Sequence, residues 1–142
     1  MIRPLNSAQK RYAKWKTSAA CKRGQLLVMN SDLALPAAEA ASAATVIGVA
    51  VADAGSGAIV SVMDPHQDFE FDLYQGSTID IATDAMLGVG YDLYVDGAAG
   101  DGSAEGEMYL DLNDTTGDFI VLVGYDNVRR VGIGRITEAS IL

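Results

Sequence analysis

In the stretch FEFDLY, residues 69–74, apolar and polar positions alternate strictly: Phe69, Phe71 and Leu73 fall on one side, and Glu70, Asp72 and Tyr74 on the other. A side-chain period of two is the mark of a β-strand with one face buried and one face in water. EMYLDLN, residues 107–113, repeats the pattern with Met108, Leu110 and Leu112 inward. Further short runs rich in Val, Ile, Leu and Tyr occupy residues 25–29, 45–52, 58–63, 91–96, 119–124 and 128–137, with Gly, Asp, Asn and Ser between them. That punctuation separates strands by turns. ADAGSG, residues 52–57, supplies a glycine-rich reversal between two of the runs. Eight short strands spaced in this way predict an all-β fold, a small antiparallel β-barrel or sandwich.

Two stretches depart from the pattern. Residues 7–20 suit a short helix, with Ser7 as N-cap and Gly24 as a stop, or an extended arm. Residues 36–44, PAAEAASAA, suit either a second short helix or an alanine-rich loop. The chain therefore divides into an N-terminal arm, residues 1–24, and a single β domain, residues 25–142. At 142 residues and 49% hydrophobic composition it can build one well-formed core and not two ordinary ones.

Charge changes the picture of the arm. Seven of the 10 Lys and Arg residues (Arg3, Lys10, Arg11, Lys14, Lys16, Lys22 and Arg23) precede Asp32, the first acid in the chain. The remainder sets three cations against all 19 acids, a balance of −16 within a net charge of −9. A split of this kind marks a segment that meets an oppositely charged surface, whereas the body should repel nucleic acid and anionic membrane. No run reaches the roughly 18 apolar residues of a membrane span, and the start lacks the apolar core of a secretory signal, so the expectation is a soluble, unexported protein with no membrane partner. Cys21 is the only cysteine, which excludes an intrachain disulfide and a thiolate metal cluster.

Candidate chemistry is sparse. His66, the single histidine, lies in a turn, MDPHQDF, without an evident nucleophile or a set of further ligands nearby in sequence. The acidic stretch 96–107 matches the first half of a calcium-binding EF-hand loop at Asp101, Ser103, Glu105 and Gly106. The position where a bidentate Glu should close such a site is Leu112, and a strand follows rather than a helix. Glu70 and Asp72, two carboxylates on one strand face, form an exposed stripe more simply than a glycosidase pair. No nucleophile elbow, phosphate-binding loop or H-E-x-x-H motif is present. The expectation is a protein that is not an enzyme and has no metal or cofactor.

The arm carries the sharpest feature. Tyr12 and Trp15 stand three residues apart among Lys10, Arg11, Lys14 and Lys16, with Lys22 and Arg23 following, and on a helix the two aromatics would share a face. Such a segment can pack onto its own barrel, bind nucleic acid by stacking bases and tracking phosphates, or dock on another protein. In the third case the aromatics fill pockets while the cations steer toward an acidic surface, and both halves of the charge split are explained.

The body also resembles a known family. RGQLLV, then VIGVAVADAGSGAIVSV, then GYDLYVDG and finally VGIGRI are similar to the strands of the small β-barrel decoration, or cement, proteins of tailed-bacteriophage heads. The resemblance runs from about Gly24 to Ile136 and does not extend to the basic arm. It implies a structural virion protein on the outer surface of the capsid. Its partner would be the major capsid protein, and it would have no catalytic residues. It would associate with itself as a trimer or, second, a dimer, because repeating shells favour symmetric units. Two further classes stay open: another phage component of the head–tail or tail-fibre kind, and a carbohydrate-binding β module using Tyr74, Tyr91, Tyr94, Tyr109 and Tyr125.

Overall fold

The computed structural model describes residues 1–5, 11–38, 44–76, 78–96, 106–117 and 119–142. Among the described residues, eleven strands run in the order β1 (Ile2–Pro4), β2 (Tyr12–Lys16), β3 (Leu26–Asn30), β4 (Leu33–Pro36), β5 (Val46–Ala50), β6 (Ile59–Met63), β7 (Asp68–Asp72), β8 (Gly90–Val95), β9 (Met108–Asp111), β10 (Ile120–Asp126) and β11 (Val131–Ile136). The only helical elements among the described residues are single turns at Asp84–Met86 and Glu138–Ser140. The fold is all-β, as the period-two pattern predicts, and each of the eight predicted runs overlaps a strand.

The strands form two antiparallel sheets, one of six strands in the order β1-β7-β11-β10-β8-β9 and one of five in the order β2-β6-β5-β3-β4. The five-stranded sheet curls into a half-barrel. At one end its outer strands meet, where Thr17 bridges Ala34 and the Ser18 N–H donates to the Ala34 carbonyl at 2.9 Å. With a register shift between β3 and β5 at Leu27/Val28, Leu26, Val46 and Val49 face the main core, which also holds Phe69, Phe71, Leu93, Leu110, Ile120 and Leu122. The opposite face sends Leu27, Ile47, Ala50, Val60 and Val62 into a second, smaller core, closed by Cys21 and Ala34. This division explains why every residue of β5 is buried: both of its faces lie against apolar neighbours. Gly48, within β5, has φ +136°, and a Cβ there would lie 1.8 Å from the Met63 carbonyl oxygen. Only glycine lets β5 and β6 approach so closely.

Of the short helix or extended arm expected over residues 7–20, the described residues, 11–20, form no helix, and residues 7–10 lie outside the described residues. Residues 12–16 are β2, paired antiparallel with β6 from Tyr12↔Met63 to Lys16↔Ile59. A helix here would have only Tyr12 and Trp15 to bury, whereas a strand completes the half-barrel and satisfies backbone groups of β6. Three strands lie outside the eight predicted runs: β1, β2 and β4. Pro36, the expected start of a second helix or loop, is the last residue of β4, and residues 39–43 of that stretch lie outside the described residues. The basic N-terminal segment thus supplies one edge strand to each sheet.

Candidate interaction surface

The fate of each cation decides which charges are available to a partner. Arg3, on β1, reaches across to β7 and donates to Glu70 at 2.9 Å and to Asp72 at 2.5 Å. Arg129 grips the same Glu70 carboxylate from the other side with two bonds of 3.0 and 2.8 Å. Arg135 forms a two-bond pair with Asp68, at 2.8 and 3.0 Å, Arg130 lies 3.4 Å from Asp80, and Lys22 lies 3.9 Å from Asp53. Burial alone would push the Glu70 and Asp72 carboxyls up, but the hydrogen bonds from the arginines outweigh it and hold both below their usual range. The carboxylate pair on β7 is therefore an arginine clamp between strands.

The cations without a salt bridge to any described residue are Arg11, Lys14, Lys16 and Arg23. Three of them belong to β2 or its first flanking residue. Lys10 lies outside the described residues. On β2 the alternation is clear. Ala13 and Trp15 sit opposite Val62 and Val60 on the face of the small core, which Trp15 packs against while Ala13 stays exposed, whereas Tyr12, Lys14 and Lys16 sit opposite Met63, Ser61 and Ile59 on the outer face. Trp15 is half-buried against that core. Tyr12 remains 51% exposed and Ile59 61% exposed. The two aromatics thus point to opposite faces, not to a common one, because the segment is a strand and not a helix. Of the named arm residues, the structure brings Tyr12, Lys14 and Lys16 together on one face and adds Ile59, which the charge pattern did not single out. Lys22 and Arg23 lie apart from that face, held near Asp53 by the Lys22 ion pair and by the Arg23 backbone N–H at 2.8 Å.

Beside β2, the open mouth of the half-barrel forms a groove of about 290 Å³ lined by Tyr12, Trp15, Ile47, Val62, Ile141 and Leu142, among others. A wider concavity of about 1320 Å³ surrounds His66. There the His66 Nδ1 lies 2.9 Å from Asp64, and its Nε2 lies 3.7 Å from Glu138. Burial pushes the Asp64 carboxyl up, but the backbone and ring hydrogen bonds of His66 prevail and lower it. Both His66 and Glu138 are largely exposed, so the group is a solvated polar cluster. Among the described residues no three potential metal-binding side chains converge. Asp101, Ser103 and Glu105 of the calcium-like stretch lie outside the described residues, and Leu112, at the position of its closing ligand, is buried in the core.

A second cluster lies on the six-stranded sheet. Tyr94 of β8 and Tyr109 of β9 are cross-strand partners, and Tyr74, just beyond β7, stacks on Tyr94 with ring centroids 3.7 Å apart and planes 15° apart. Tyr109 stands 6.3 and 6.5 Å from the two, tilted. They border a concavity of about 500 Å³ together with Asp72, Gln75, Asp96, Glu107, Arg129 and Arg130. The hydrogen bond between the Tyr74 and Tyr94 hydroxyls raises the Tyr74 phenol, and burial raises that of Tyr109. Three of the five exposed-tyrosine candidates thus converge, while Tyr91 is buried and Tyr125 bonds Asp84 elsewhere, at 2.6 Å. No signal in the sequence joins positions 74, 94 and 109.

No helix among the described residues is long and apolar enough to cross a membrane. Neither a protein-family model nor a curated protein matches the chain.

Proposed function

We propose that this chain is a noncatalytic structural virion protein that binds the outer surface of an assembled phage capsid and cements neighbouring copies of the major capsid protein. The observation that carries the reading is the outer face of β2. In a molecule whose other basic side chains are mostly tied to its own acids, Tyr12, Lys14 and Lys16 project together from one strand with no ion pair to a described residue. The similarity of the body strands to capsid decoration proteins supplies the identity of the partner.

The physics suits that role. The lysines steer the chain toward an acidic shell surface, and the acidic body turns the rest of the molecule outward. Tyr12 offers an apolar ring with a polar tip, suited to an interface centre. Many copies, each with a modest contact, stabilise a shell by mass action. Self-association as a trimer, or second a dimer, would place the copies around a symmetry axis of the shell. No nucleic acid, membrane or cofactor enters this account.

Co-sedimentation with undecorated phage heads tests it, and saturable binding is expected. Tyr12→Ala should weaken binding about tenfold while leaving the melting temperature nearly unchanged. Trp15→Ala should lower stability by about 2 kcal/mol, because it vacates the wall of the small core. Replacing Lys14 and Lys16 together by Gln should weaken binding at low salt and much less at physiological salt, where screening acts over about 8 Å. Absence of saturable binding, or binding to naked DNA in its place, would remove the proposal.

The tyrosine cluster favours a second reading, a carbohydrate-binding module. Aromatic rings beside carboxylates, an amide and arginines offer a stacking surface with hydrogen-bond partners for sugar hydroxyls. A glycan array should then show binding that Tyr94→Ala abolishes, and an array without signal disposes of this alternative.

A further inference from the structure

The backbone of β2 carries information that its side chains do not. Next to the strand, the Asp64 N–H donates to the Arg11 carbonyl and the Thr17 N–H donates to the Ala58 carbonyl, each at 2.9 Å. In an antiparallel ladder, residues alternate between bonding to one neighbour and bonding to the other. Arg11, Ala13, Trp15 and Thr17 therefore direct their backbone groups at β6. The N–H and C=O groups of Tyr12, Lys14 and Lys16 point the opposite way.

On that side Lys16 runs up to the Thr17–Ala34 bridge to β4, and the groups of Tyr12 and Lys14 meet no described residue. The other sheet edges are engaged: the Ile2 N–H donates to Gly24 at 3.1 Å, the Leu110 carbonyl accepts from Tyr74 at 3.0 Å, and the Ala34 carbonyl accepts from Ser18 at 2.9 Å. The Thr17–Ala34 bridge and the Ser18 contact close the half-barrel at the C-terminal end of β2. From Lys14 back to Tyr12 the edge is open to the described residues, and the apolar groove lined by Trp15, Ile47, Val62 and Leu142 lies beside it.

An open edge with aligned donors and acceptors is a template for one more strand. Its side chains say which strand fits. A second β2 would set lysines against lysines, and like charges directly opposite each other are destabilising. An incoming strand with carboxylates on the face shared with Tyr12, Lys14 and Lys16 is favoured. Its intervening residues would lie beside Ala13 and Trp15 and should be apolar.

We infer that the open edge of β2 binds, by strand addition, an extended segment of the partner that alternates acidic and apolar residues. The inference rests on the capsid reading for the source of that segment, the major capsid protein, and names the form and chemistry of the contact.

Amide exchange on the wild-type chain tests it, with undecorated phage heads as the probe and exchange trapped on the heads and read after release. In the free protein the Tyr12, Lys14 and Lys16 amides should exchange rapidly, while those of Ala13 and Trp15 are protected. On the heads the first three should slow by at least about tenfold. Lys14→Pro removes only an outward donor and should weaken head binding about tenfold, whereas Lys14→Gln should do so only at low salt. Protection of the three amides already in the free protein, or head binding that leaves them unprotected, overturns strand addition and leaves the capsid reading standing. A folded Lys14→Pro chain that binds heads like the wild type has the same consequence. A wild-type chain that binds no heads overturns both the capsid reading and the partner named here. Should Lys14→Pro fail to fold, the exchange result decides alone.

Discussion

A chain lacking residues 1–23 should lose most of its folding stability, with a urea midpoint far below that of the full chain or no cooperative transition at all. The deleted segment is not an appendage. It contains β1, paired with β7, and β2, paired with β6. Ile2 and Cys21 are both 2% exposed, and Trp15 forms a wall of the small core. At about 1.5–3 kcal/mol for each large apolar side chain returned to water, the loss comes to about 5 kcal/mol or more. That is comparable with the whole stability of an ordinary domain, about 5–15 kcal/mol. Far-UV dichroism and urea unfolding of the shortened chain would read it. An unchanged midpoint would mean that both edge strands are dispensable and that the segment serves only to dock.

The arginine clamp on β7 carries the second large effect. Glu70→Ala should destabilise the chain by about 2–3 kcal/mol, somewhat below the 3–5 typical when a fully buried pair is broken, because Arg129 keeps 59% of its side-chain surface exposed. The loss arises from leaving Arg3 and Arg129 without the carboxylate that joins β1, β7 and the turn before β11. The same site sets an acid dependence. Glu70 and Asp72 both have folded-state pKa values below their ordinary ones. Their stabilisation is therefore complete above the unfolded values, about 4.3 and 3.9, and is lost as pH falls through the lower folded values. Urea midpoints measured from pH 7 down to pH 3 should decline most steeply below about pH 4, and Glu70→Ala should remove its share of that slope. An equally steep decline in the variant would assign the acid sensitivity to other carboxylates.

The tyrosine cluster and the β2 face show how far local reading reaches. Tyr74, Tyr94 and Tyr109 were identifiable one by one as outward-facing aromatics, because each alternates with buried neighbours such as Leu73, Leu93 and Leu110. That they share one wall depends on β9 returning to the end of β7 at the Leu73–Leu110 bridge, a contact between residues far apart in the chain. Likewise, Arg3 and Lys14 are equivalent in a count of charge. Only the pairing of β1 with β7 lays Arg3 across Glu70 and Asp72 as a clamp, while the pairing of β2 with β6 leaves Lys14 without a salt bridge to any described residue.

By itself the sequence determined the all-β class, the eight strands β3 and β5 to β11, and the inward sets on residues 69–73 and 108–112, because a period of two with one apolar face has a single low-energy solution. It also determined that positive charge gathers at the N-terminal side. Only the tertiary structure decided that residues 12–16 are a strand, that Tyr12 and Trp15 face opposite ways, and that one edge strand of each sheet is built from the basic segment. A five-residue stretch with two aromatics and two lysines has no strong preference of its own. Its conformation follows from the unpaired edge of β6, and an edge exists only once the rest of the sheet has formed.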